Sequence, residues 1–321
     1  MPPKVAPYIP SEEELLTYFQ KYSNWGRWGK DDQKGTLNFI TPDVRKRAAA
    51  LVRDGHAVSC ARLITTDLTP DAHPPVHPPA THFMVQSGEQ FDGKADKPGV
   101  LQTCLDYFGM VFHSPLFTHL DSVGHVFWSG KMYNGFPAGA VTNYEGATVE
   151  SVDLAKDVGI TRGVLLDIPR LRGVKWIEPP DAVYAEDLLA AEQAQGVKVQ
   201  PGDALLIRTG YLRRRNEEGP WNVFKEARIG GLHANAIPFI HERGVALLGR
   251  DSGDARGYKL VFSPIHQIGI VALGLWLIDY VNLEELAQAC AERQRWEFLF
   301  TMNPLRIHNG TGSPLNPVAV L

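Results

Sequence analysis

Cysteine is scarce in this chain. Of 321 residues only Cys60, Cys104 and Cys290 carry a thiol. They are odd in number, widely spaced and form no Cys-x-x-Cys pair, which excludes a disulfide framework and a thiolate zinc site and makes a reducing cytoplasm the expected compartment. Long hydrophobic runs are missing as well. The longest, Ile268 to Leu277, is about half of the ~20 residues a membrane-spanning helix needs, so it is expected as a buried strand or helix segment and no membrane partner is expected. Met1 to Pro10 holds four prolines and no apolar core, unlike a secretory signal. An excess of one charge is absent too: 32 basic against 36 acidic residues leave a net charge of −4. That excludes the concentrated basic face of a nucleic-acid binder. The one basic cluster, Arg213 to Arg215, is followed by Glu217 and Glu218 and is expected as a solvated turn. Three hydrolytic devices are also lacking: a Gly-x-Ser-x-Gly elbow, a His-Glu-x-x-His helix and a phosphate loop.

What is present is a chain 44% hydrophobic, long enough to bury a large core. Ser11 followed by three glutamates reads as a capping box for a short helix. Thr41-Pro42-Asp43 opens a second helix, which Gly55 is expected to close. Between them, residues 25 to 32 are too glycine-rich for regular structure, and residues 69 to 80 form a proline-rich extended loop. From residue 163 onward short apolar runs alternate with helical patterns. Strands are expected at 163–168, 204–207, 245–248 and 297–300, and helices at 186–195, 233–243 and 283–292. This alternation predicts an α/β fold. With no repeat and no shift in composition, the organisation expected is residues 1–60 as an N-terminal helical extension packed on one structural unit, 61–321.

Chemistry concentrates in His113-Ser-Pro-Leu-Phe-Thr-His119-Leu-Asp121-Ser-Val-Gly-His125. In an extended chain alternate side chains share a face, so His119 and Asp121 can grip one ion. Nitrogen and oxygen ligands with an open position are what a hydrolytic metal requires. His125 follows Gly124 closely enough to turn back toward that position, and His113 can return from the other side. A histidine bonded to a neighbouring carboxylate is also an ordinary structural arrangement. The histidines at 73, 77 and 82 are separated by prolines that hold them extended, and they read as an exposed rim. Gly249-Arg-Asp-Ser-Gly-Asp254 reads as a strand-to-loop turn.

These residues resemble the cyclase family of metal hydrolases, which includes kynurenine formamidase and isatin hydrolase and is marked by His-x-Gly-Thr-His-x-Asp-x-Pro-x-His. Thr118-His-Leu-Asp121 and His125 fall on the last part of that motif. Blocks at 28–38, 127–135, 201–210 and 305–314 are similar to further family blocks in the same order. The chain departs from the pattern in three places: His113 stands six residues before His119, Val123-Gly124 replaces the proline and its neighbour, and Asp279 stands where glutamate is common. The resemblance implies a swivelling β/β/α fold, His119 and Asp121 as metal ligands, and His125 as the catalytic histidine. It matches His266 and Asp279 to the later ligands of two-metal members, leaving one or two ions open. Zinc and manganese both suit the set. Trp25, Trp28, Phe112 and Trp128, with Phe127, are the candidate walls of a substrate pocket. The implied activity is hydrolysis of an amide bond in a small molecule, an aryl formamide or a cyclic amide or imide, by water that the metal activates. The alternatives are a lactone or ester hydrolase at the same site and a non-catalytic small-molecule binder that keeps the fold. The resemblance also implies a homodimer or homotetramer.

Overall fold

The computed structural model describes residues 6–92, 101–223, 230–255 and 257–321; the start of the proline-rich N-terminus, residues 1–5, lies outside them. The first helix, α1 (Glu12–Lys21), begins where the Ser11 hydroxyl accepts from the Glu14 amide at 3.1 Å. The second, α2 (Pro42–Ala49), is opened in the same way by Thr41. Gly55 does not close it. The helix ends six residues earlier, and Gly55, at φ +71°, instead turns the chain so that its amide bonds to the Leu321 carbonyl.

The chain then builds its strands. β1 (Ala57–Ser59) is followed by a two-stranded ribbon, β2 (Thr81–Gln86) and β3 (Leu105–Gly109), and by β4 (His119–Asp121). A small hairpin, β5 (Val141–Thr142) with β6 (Gly146–Ala147), precedes the long β7 (Ile160–Asp167). Helices α3 (Ile168–Arg172) and α4 (Ala185–Gln195) lead to β8 (Ala204–Arg208). Next come α5 (Tyr211–Glu218), α6 (Ile237–Arg243) and β9 (Leu247–Arg250). A π-helical stretch, Ile265–Ile270, precedes β10 (Trp276–Asp279), which is followed by α7 (Glu284–Arg293), β11 (Glu297–Thr301), β12 (Gly312–Pro314) and β13 (Val318–Val320). The apolar run 268–277 is thus partly π-helix and partly strand, and it is buried.

Nine strands form one mixed sheet in the order β1-β13-β11-β7-β8-β9-β10-β4-β12. The middle four, β7 to β10, run parallel, and the flanking pairs are antiparallel. The parallel strands read as apolar runs because both of their faces are covered. Leu165, Leu166, Leu206, Ile207, Leu247 and Leu277 are all fully buried, each contributing roughly 1.5–3 kcal/mol of apolar transfer. The N-terminal segment is seated by close backbone approach. Thr36 donates from its amide to the Gly274 carbonyl at 2.8 Å, and a Cβ on Gly35 would lie 2.2 Å from that same oxygen. The Arg213–Arg215 cluster is part of α5 rather than a turn. Arg213 and Arg214 pair with Glu217 and Glu218 one helical turn on, and Arg215 reaches Asp71. Among the described residues no helix is long and apolar enough to cross a membrane.

One buried acid sits uneasily in this core. Glu150 is fully buried with φ +57°, and neither carboxylate oxygen has a hydrogen-bond partner among the described residues. Burial, reinforced by the nearby Asp32 charge, pushes its pKa up to about 9. The folded protein therefore holds a proton that the unfolded chain releases above its ordinary value, so stability falls as pH rises through this window, by at most ~1.4 kcal/mol per pH unit. Replacing Glu150→Gln removes that slope. Denaturant midpoints compared at about pH 5 and about pH 8 will differ less in the variant than in the wild type. Equal differences would place the unpaired carboxyl in a more polar setting than described.

Candidate metal centre

The site forms where the carboxyl end of β10 meets the amino end of β4. Asp279, the last residue of β10, lies opposite His119, the first of β4, and Leu277 lies opposite Asp121. Strand alternation turns His119 and Asp121 to one face and sends Leu120, fully buried, into the core. Such crevices at the carboxyl ends of parallel strands are where α/β sheets place ligands.

Six residues singled out in the sequence converge here. His113 Nδ1 lies 2.7 Å from Asp121 Oδ1, and its Nε2 lies 3.2 Å from the Thr311 hydroxyl. The His113 ring stacks on His125, centroids 3.9 Å apart and planes within 10°. His125 Nε2 is 3.9 Å from Asp121 Oδ1. His266, near the start of the π-helical stretch, points Nε2 at Asp279 Oδ2 (3.1 Å) and Asp121 Oδ2 (3.7 Å). His119 and Asp121 form the floor, while His113, His125 and His266 are each about a quarter exposed at its mouth. His113 reaches Asp121 only because Gly312, paired with Asp121 across β12 and β4, lacks a side chain. A Cβ there would sit 2.5 Å from the His113 ring and 2.3 Å from the Leu120 carbonyl.

Two groups that sequence reading passed over hold the cluster in place. Arg250, the last residue of β9 and fully buried, pairs with Asp254 and, at 2.6 Å, with Asp279. Asp254 in turn accepts from the amides of Ile265 and His266 and from His266 Nδ1 at 2.9 Å, which fixes the start of the π-helical stretch. The turn expected at residues 249–254 is therefore a buried ionic bracket. The available signal was an arginine with an acid four residues on, Arg250 and Asp254, close behind the apolar run 245–248. The neighbouring Asp251 faces away, accepting from the Thr209 amide and hydroxyl and the Gly210 amide.

The aromatic candidates separate. Phe112 lies against His113, ring centroids 4.6 Å apart. Trp25 and Trp128 line another cavity with Phe19 and Val271, where Trp128 stacks on Phe19 at 4.4 Å. Trp28 packs edge-on against Phe39 beneath Arg27, and Phe127 is 41% exposed. Of the other histidines, His82 bonds Asp106 at 2.7 Å on the ribbon, and His73 and His77 exchange backbone bonds across a tight turn.

The residues fit a divalent cation on three counts. His119 Nδ1 lies 2.9 Å from the Phe117 carbonyl and donates to it, which leaves Nε2 as a bare lone pair 3.5 Å from the Asp121 carboxylate. Two acceptors facing each other in a buried floor call for a cation between them. Asp121 Oδ2 is buried without a hydrogen-bond donor among the described residues. Finally, Asp121, Asp254 and Asp279 place three negative charges here against the guanidinium of Arg250 and the imidazole of His266, which leaves the cluster net negative. Both ligand sets, His113-His119-Asp121 and Asp121-His266-Asp279, share Asp121.

The electrostatics follow from this packing. Burial pushes the His125 pKa down to about 4, with the neighbouring imidazoles adding to the shift and Asp121 opposing it. His125 is therefore neutral at physiological pH, with a nitrogen free to accept a proton. Burial alone would raise the Asp121 carboxyl, but the imidazoles of His125, His119 and His113 hold it well below the usual carboxylate range. Burial alone would lower His266, but Asp254 and Asp279 on its two nitrogens hold it well above.

The Cyclase family model matches residues 64–255, more than half of the chain. A crystal structure described as a novel cyclase superposes with a TM-score of 0.81, covering 98% of this chain and all of its own, at 30% identity. The isatin hydrolase of Roseibium aggregatum is 26% identical over 152 residues, which are 44% of this chain and 54% of that protein, so the match spans about half of its length. Isatin hydrolase A from Labrenzia aggregata, solved with benzyl benzoate, shares the fold with a TM-score of 0.59 at 19% identity, over 85% of this chain and 94% of its own.

The bracket makes a sharp demand on stability. Arg250→Met takes the guanidinium from two buried carboxylates, leaving His266 as the one cationic partner for both, and is expected to cost about 3–5 kcal/mol, read as a fall in denaturant midpoint. The triple change that also makes Asp254→Asn and Asp279→Asn is expected to recover much of it. A single variant as stable as the wild type would show that Arg250 does not neutralise these acids.

Proposed function

This chain belongs to the cyclase family, and from that membership and the geometry above we propose that it is a metal-dependent hydrolase of small-molecule amides working with one divalent ion per chain. The observation that carries the reading is the meeting of the His119 Nε2 lone pair with Asp121 Oδ1 in a buried floor, beside an Asp121 Oδ2 that has no hydrogen-bond donor among the described residues. His119, Asp121 and His113 would hold the ion, with His266 and Asp279 at its other side. When bound, a divalent ion supplies Lewis acidity toward a substrate carbonyl and makes water easier to deprotonate.

The protein's own residues supply the rest. His125, neutral and set at the mouth of the site, takes a proton from water as it adds to the carbonyl, and delivers that proton to the departing nitrogen. The stacked His113 ring fixes the plane of His125, so the accepting nitrogen stays aimed over Asp121. Phe112 beside His113 gives a flat substrate an apolar wall. Charge balance supports a single ion. Asp121, Asp254 and Asp279 carry three negative charges and Arg250 one positive charge, and His266, which its two carboxylate neighbours hold toward the charged form, would give up its proton to serve beside His113 and His119 as a neutral ligand. One divalent cation then brings the buried centre to neutrality, whereas a second would leave it doubly positive in a medium that penalises unpaired charge. A relative named isatin hydrolase favours the C–N reading, since isatin is a cyclic amide. An aryl formamide or cyclic amide or imide is accordingly the proposed substrate class, ahead of lactones and other esters.

The test uses elemental analysis together with turnover. Purified protein loaded with zinc or manganese and desalted is expected to retain one ion per chain, and Asp121→Asn to lose it. Two ions per wild-type chain would overturn the charge argument. In a screen of aryl formamides, cyclic imides and lactones, His125→Ala is expected to keep the ion while kcat falls by ~10²–10⁴-fold on whichever substrate the wild type turns over. Unchanged kcat in that variant would remove His125 from the chemistry. Tight binding of these compounds without turnover by the loaded wild type would favour a ligand-binding protein.

A further inference from the structure

Arg250 is a buried cation with two carboxylates on it. Arg62, just past β1, is a buried cation with none. It is 8% exposed, and its contacts among the described residues are to neutral groups. Nη1 donates to the Pro115 carbonyl at 2.6 Å and Nη2 to the Asp251 carbonyl at 3.2 Å. Nε is buried with no hydrogen-bond partner among the described residues. The Tyr211 and Tyr280 rings lie 5.2 and 5.0 Å from the guanidinium carbon, and their faces offset part of its charge. The Asp251 carboxylate is turned elsewhere, to the Thr209 hydroxyl and the Gly210 amide. Burial pulls the Arg62 pKa below its ordinary value, and the Arg215 charge adds to that, against the two tyrosines and Asp251. An arginine remains charged under such a shift. These contacts fix where the group sits, but a buried charge is ordinarily paired as well.

Arg62 also borders a cavity of about 290 Å³ between residues 62–69 and α5. Its charged lining is small. Arg215 is already held by Asp71 through Nε and Nη2, and Asp67 is an exposed acid on the loop side. The charge without a partner is therefore the single one of Arg62, which calls for one negative charge. A dianion would bring a second, against Asp67. A planar carboxylate suits a guanidinium best, because two parallel N–H bonds can reach its two oxygens, and Nε is one donor of such a fork. Leu116 and Leu212 form an apolar part of the wall, with Thr65 and Asn216 beside them. A site of that kind favours a ligand with an apolar body and one charged end.

We propose that this cavity binds a small monocarboxylate with an apolar body, its carboxylate held by the Arg62 guanidinium. No candidate metal ligand lines the cavity, so the site is separate from the metal centre, and the proposal does not depend on the proposed chemistry.

Isothermal titration calorimetry of the full chain, with benzoate and with inorganic phosphate at matched ionic strength, tests it. Benzoate is expected to bind the wild type, and phosphate at least ~10-fold more weakly. Arg62→Gln is expected to weaken benzoate by ~10–100-fold, the factor for losing hydrogen bonds to a charged group. Because Arg62 also ties Pro115 to Asp251, that variant can fail to fold, and a second one then decides. Thr65 is exposed on the loop side of the cavity, so Thr65→Trp fills the space without altering the core. It is expected to weaken benzoate at least ~10-fold, with unchanged far-ultraviolet circular dichroism and the metal content of the wild type. A wild type that gives no heat with benzoate, or either variant folded and binding benzoate as the wild type does, would overturn the proposal. Phosphate binding as tightly as benzoate, and lost equally in Thr65→Trp, would overturn the assignment to a carboxylate.

Discussion

The buried carboxylate of Asp121 is the group on which the rest of this structure turns. It is shared by both potential ligand sets, it lies within 4 Å of four imidazoles, and one of its oxygens has no donor among the described residues. An isolated carboxylate in such a place carries a desolvation cost of several kcal/mol. The fold meets it with oriented imidazoles at short range and with the surrounding charge pattern, rather than with water. The bare nitrogen of His119, the stacking of His113 on His125, and the glycine at 312 that lets His113 approach are all arranged around that one side chain.

The same constraint explains why an arginine is fully buried at the end of a central strand. Arg250 serves no surface and faces no solvent; it pairs with Asp254 and Asp279, and Asp254 sets the position and tautomer of His266. A carboxylate behind a ligand histidine orients the ring and raises its basicity. The π-helical turn beginning at Ile265 places His266 beside β10, an irregularity of the kind often found at functional sites. The nine-stranded sheet thus supplies rigid ends, and the ionic bracket supplies aim.

Much of this was legible in the sequence because it is local. His119 and Asp121 stand two apart on an extended segment, and alternation alone puts them on one face. Ser11 and Thr41 mark helix starts through cap chemistry that depends on adjacent residues, and the helices expected at 186–195 and 233–243 end on glycines 196 and 244 in left-handed conformation. The alternation of apolar runs and helical patterns is enough to give an α/β sheet. What could not be read depends on residues far apart in the chain. The Arg250–Asp279 pair spans 29 positions, and Thr311 approaches His113 from 198 away. Arg214 and Arg215 belong to a helix because acids at 178, 218 and 71 receive them, which a charge run does not announce. The tryptophans at 25 and 128 looked like pocket walls by type alone, and a cavity beside α1 takes both. Nor does the pattern of residues 81–86 reveal that the ribbon stands off the core, since its apolar side chains are those of a buried strand.

The measurement that tests the central claim most directly is the anomalous scattering of crystals grown with zinc or manganese. The account predicts one peak per chain, within coordination distance of His119 Nε2 and the Asp121 carboxylate, with Arg250 still bridging Asp254 and Asp279. A map with no peak at Asp121 under saturating metal, or with a peak placed away from both side chains, would contradict it.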